Sequence, residues 1–84
     1  MNSELPSVSV KFKKPRDYSN QYKDVIIFSL PGPYRVSRDV LNSLDKGGVH
    51  KFEFKNEDVA AKFAKDLFFE LNNILDITTN FKIK

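Results

Sequence analysis

His50 is the only histidine in the chain, so any reaction that needs an imidazole near neutral pH must be built on it. A Ser–His–Asp arrangement would also need an activated serine. Neither Ser29 nor Ser43 lies in the Gly-x-Ser-x-Gly turn that exposes one. Small basic ribonucleases use a different set, in which His, Arg, Lys and Tyr act as acid, base and phosphate clamp. Here Tyr34, Arg35, Arg38 and His50 could form such a group, because the helix carrying Arg38 leads into a strand that starts near His50. The simpler reading makes His50 a half-buried strand residue alternating with Phe52 and Phe54.

Other chemistries find few candidates. There are no cysteines, which excludes a thiol nucleophile, a disulfide framework and Cys-based zinc or iron–sulfur sites. One histidine without cysteine is a poor zinc set. Glu57-Asp58 is the only adjacent acidic pair, and a helix start explains it. Gly47-Gly48 lacks the Gly-Lys-Ser/Thr ending of a phosphate loop. The expectation is no catalytic residue, no metal and no cofactor.

Binding residues stand out more. Residues 11–23 hold Lys11, Lys13, Lys14, Arg16 and Lys23 against Asp17 alone, interleaved with Tyr18 and Tyr22. Residues 56–84 hold four lysines against five acids, so the net charge of +3 is concentrated at one end. Cations among tyrosines suit phosphate pairing with base stacking. They equally suit a protein hot spot, or a solvated loop whose tyrosines fold back as packing. A second candidate is the stiff loop Leu30–Arg35, where Pro31 and Pro33 would present Tyr34 and Arg35 with little entropy left to lose. A third is Phe69, which lies nearly opposite the apolar arc of its helix among Lys62, Lys65, Asp66, Asn73 and Asp76.

The elements that position these residues follow from periodicity. Eighty-four residues make one domain, with residues 1–6 a loose tail. Ser7–Lys13 alternates, with Val8, Val10 and Phe12 on one side, and reads as a half-buried strand. Asp24–Leu30 contains Val25-Ile26-Ile27-Phe28, apolar on both faces, and reads as a central strand. The two would form a hairpin with the basic residues at its tip. Ser37 caps a short helix over 37–46 that Gly47-Gly48 ends. Val49–Lys55 alternates again, and Asn56 caps a helix running to about Asp76. Thr79–Ile83 reads as an edge strand guarded by Lys82 and Lys84.

The expected fold is therefore α+β, with a four-stranded mixed or mostly antiparallel sheet, chain order ββαβαβ, and two helices on one face. No segment has the length or apolarity of a membrane span, and the first residues lack a secretory pattern, so the expected compartment is the cytoplasm. The functional expectation is a small non-catalytic module that binds and blocks or redirects a protein partner with an acidic surface. In size and composition it matches phage and mobile-element accessory proteins that inhibit host complexes. The alternatives are nucleic-acid binding through 11–23 and a ribonuclease built on His50. A homodimer is compatible with so small a core.

Overall fold

The structure, a computed structural model, describes residues 5–14 and 20–82. Strand β1 (Ser7–Phe12) forms where the alternating segment predicts it. It occupies the centre of a three-stranded antiparallel sheet, between β2 (His50–Glu53) and β3 (Leu75–Thr79). Val8 lies opposite Phe52 on one side and Thr79 on the other; Val10 lies opposite His50 and Ile77; Phe12 lies opposite Leu75. Residues directly opposite share a face, so these side chains form the floor of the core. Ser9, Lys11, Lys51, Asp76 and Thr78 make up the other face, which is open and polar.

The apolar floor is covered by α1 (Asn20–Ser29), a 3-10 helix over Arg38–Lys46, and α2 (Glu57–Leu71). α2 is encoded locally. The Asn56 side chain accepts bonds from the Asp58 and Val59 amides at 2.7 and 3.4 Å, and Glu57 and Asp58 follow in the first turn. Ala60, Phe63, Ala64, Leu67 and Leu71 form its buried stripe. Phe63 packs against Phe52 and Phe54, with ring centroids 5.2 and 5.5 Å away.

Four expectations are corrected. The segment Asp24–Leu30 is not a strand: it lies almost wholly in α1, so there is no hairpin, and the sheet has three strands, not four. The inward face of this region is Lys23, Ile26 and Leu30, at spacings of 3 and 4 residues. A lysine at the first of these positions breaks the apolar period and leaves the β-branched run as the dominant signal. The segment 37–46 is helical but of the 3-10 type, and the Ser37 side chain makes no capping bond. Gly47 ends it with φ of 86°, as expected, and a Cβ on Gly48 would come within 2.8 Å of the Ser43 carbonyl oxygen. α2 stops at Leu71, not Asp76, because Asn72 and Asn73 are weak helix formers and begin a turn. The last strand is consequently Leu75–Thr79 instead of Thr79–Ile83. Lys82 lies beyond it, and Lys84 lies outside the described residues.

The chain ends of the sheet are tied together. The Phe54 amide donates to the Pro6 carbonyl at 2.9 Å. Asn80 accepts from the Ser7 amide at 2.9 Å and donates to the Leu5 carbonyl at 2.9 Å. Leu5 and Pro6 are thus bonded to the sheet, and residues 1–4 of the expected tail lie outside the described residues. Among the described residues no helix is long and apolar enough to cross a membrane.

Candidate interaction surface

The residues proposed for ribonuclease chemistry are each engaged elsewhere. His50 sits half-buried at the start of β2, edge-on to Phe52 with ring centroids 4.5 Å apart. Burial holds its pKa below the ordinary 6.5. The Tyr34 hydroxyl accepts from the Lys55 amide at 3.1 Å, and its ring lies 4.8 Å from that of Phe54. Arg38 grips Asp24 with two bonds of 2.7 Å. That contact lowers the Asp24 pKa and raises that of Arg38. Arg35 donates to the Leu30 carbonyl at 3.3 Å and places its guanidinium 5.5 Å from the centroid of the Phe28 ring. Among the described residues no group of three or more His, Cys, Asp and Glu side chains is placed to hold a metal ion.

The basic cluster is dispersed. Lys11 is exposed on the open sheet face, opposite Asp76. Lys13 and Lys14 are exposed just beyond β1. Arg16 and Tyr18 lie outside the described residues. Tyr22 is half-buried against the core. Lys23, expected as a contact residue, is 3% exposed; its ammonium donates to Asn42 at 3.0 Å and to Asp45 at 2.7 Å. Its charge ties α1 to the 3-10 helix and is not presented outward. The reason is geometric: with Ile26 and Leu30 facing the core, a helix brings Lys23 round to the same side.

A different surface emerges on the helix layer. Phe69 is 85% exposed, at about 180° around α2 from the centre of its buried stripe. Phe28 on α1 is 67% exposed, although the sequence reading buried it in a strand. Once α1 is known to be helical, Phe28 joins Gln21 and Asp24 on an outward stripe, so helical periodicity was the missing signal. Phe28 stands between two shallow grooves. One, of about 630 Å³, is bordered by Asn20, Asp24, Val25, Arg38 and Glu70. The other, of about 280 Å³, is bordered by Leu30, Pro31, Lys62, Phe63 and Asp66. The start of α1 lies beside the end of α2, and the reverse, so the two helices run antiparallel with Phe28 and Phe69 both directed away from the core.

Comparison with family models, curated proteins and solved structures finds no match to this chain.

Proposed function

We propose that this chain is a non-catalytic interaction module that inhibits or redirects a protein partner by covering part of its surface. The contact face is the outer side of α1 and α2. The observation that carries the reading is the exposure of Phe69, at 85%, although fifteen apolar side chains among the described residues are already buried in a core. Phe28, exposed one helix away with Arg35 over its ring, supplies a second aromatic anchor. Aromatic side chains with a charged surround are the composition of interface hot spots. Asp24, Arg38, Lys62, Asp66 and Glu70 furnish a rim of mixed sign.

Nucleic-acid binding is the second reading. Lys11, Lys13 and Lys14 favour it, being exposed close together along and just beyond β1. It loses Lys23, whose charge is neutralised inside the molecule.

Two measurements separate the readings. Fluorescence anisotropy with labelled single- and double-stranded oligonucleotides, at about 50 and 200 mM salt, reports phosphate contacts as a steep loss of affinity. The protein-partner reading predicts flat traces at both salts. It also predicts that Phe69→Asp and Phe28→Asp lose a partner captured from lysate by the wild-type chain. Micromolar, salt-sensitive oligonucleotide binding would overturn it.

A further inference from the structure

The two edges of the sheet are not equivalent. The Lys13 amide donates to the Ile74 carbonyl at 2.9 Å, and the Asn80 amide donates to the Ser7 carbonyl at 3.4 Å. In an antiparallel ladder the bonded residues alternate. Residues 74, 76, 78 and 80 therefore turn their backbone groups toward β1, and Leu75, Ile77 and Thr79 turn theirs outward. By the same logic, the Phe54-to-Pro6 bond makes Lys51 and Glu53 the outward residues of β2.

The β2 edge is guarded: Lys51 and Glu53 are exposed, charged and paired at 3.9 Å. The β3 edge has no lysine and no proline, and among the described residues no strand pairs with it. Ile77, half-buried, lies at the middle of this strand on the core face, with Asp76 and Thr78 exposed on the open face.

We propose that the β3 edge seats β3 of a second copy, antiparallel, about a two-fold axis at Ile77. In this register the backbone of Ile77 bonds to its symmetry mate, and Leu75 bonds to Thr79 of the other copy, giving about six new ladder bonds. Asp76 falls opposite Thr78 on the open face, twice by symmetry, so a hydroxyl donor meets each carboxylate. Lys11 already stands opposite Asp76 on its other side, so each carboxylate lies between a cation of its own sheet and a hydroxyl of the other copy. Sliding by two residues toward the strand start would set Asp76 against Asp76. Sliding the other way would carry Leu75 past the strand end, opposite Phe81. The Asp76–Thr78 match, made twice when the strand meets itself, argues for a second copy of this chain as the occupant, and like-charge repulsion and strand length select this one register. The product is a continuous six-stranded sheet with both helix layers on one face and the two Ile77 side chains meeting at the seam.

The test is sedimentation across protein concentration, with residue-resolved amide exchange by NMR. The expected result is a rise from 9.7 kDa toward twice that mass. Protection at Ile77 and Thr79 should grow with concentration, while Asp76 and Thr78 are protected throughout. Thr78→Asp places a second carboxylate opposite Asp76 and should weaken the dimer about tenfold, since like charges directly opposite are destabilising at both symmetric sites. Thr78→Lys offers Asp76 a cation and should tighten it. Opposite signs for two substitutions at one exposed site distinguish pairing from a general loss of strand structure. A monomer mass at every concentration would overturn the proposal. So would concentration-dependent protection at Lys51 and Glu53 instead, or a shift of the same sign for both variants.

Discussion

The two α-helices cover one sheet by different means. α2 seats a continuous apolar stripe, has an Asn56 cap bonded to two amides, and carries Glu57 and Asp58 at its positive end. α1 has neither an acid in its first turn nor a base in its last, and it contains the β-branched run Val25-Ile26-Ile27. Of its residues only Lys23 and Ile26 are buried. What docks α1 includes a sequestered ion pair, Lys23 with Asp45, and the grip of Arg38 on Asp24. Local rules suffice for the start and buried stripe of α2, while the state of α1 depends on tertiary contacts that the 3-10 helix supplies.

The sharpest way to break the contrast is to truncate the better-packed helix. Phe63→Ala removes a ring in contact with Phe52 and Phe54 and should cost about 3–5 kcal/mol in urea unfolding. On the α1 side, Lys23→Met leaves the Asp45 carboxylate half-buried without its cation. It should cost roughly 3 kcal/mol, the lower end of the range for a broken buried pair, because the Asp45 side chain keeps 21% of its exposure. Adding Asp45→Leu to Lys23→Met should recover most of that loss. If the double variant stays as unstable as the single, the pair does more than satisfy its own charges. Asn56→Ala tests the local encoding of α2 and should cost about 1 kcal/mol.

The smallest effect is a pH dependence. Burial holds the pKa of His50 below 6.5, so on acidification the unfolded chain takes up a proton before the folded one. Stability present above that pH should fall as pH drops through the window beneath it, and His50→Gln should flatten the melting temperature over the same window.

The same contrast explains what the sequence disclosed. β1, the capped start of α2, the glycine end of the 3-10 helix and the exposure of Phe69 were all legible, because each follows from a period or a cap within a few residues. The helical state of 20–29 was not, because a buried lysine replaced the apolar residue that would have completed the period, and its partners Asn42 and Asp45 come from about twenty residues away. That one substitution turned a helix into an apparent strand and invented a hairpin tip. It also hid Phe28, which belongs on the outside. The end of α2 was misplaced for a milder reason: Ile74 and Leu75 continue the helical period past Asn72-Asn73, yet Leu75 is buried as a strand residue opposite Phe12.

The central claim is that the chain engages a protein through the helix layer and not through its exposed lysines. It is tested most directly by capturing partners from lysate with three folded baits: wild type, Phe69→Asp, and Lys13→Glu with Lys14→Glu. Phe69 lies outside the core, so Phe69→Asp should leave unfolding within about 0.5 kcal/mol of wild type. The account predicts a protein retained by the wild type and by the lysine variant and lost with Phe69→Asp. Retention by Phe69→Asp together with loss on the lysine exchange would contradict it and return the contact to the basic end of β1.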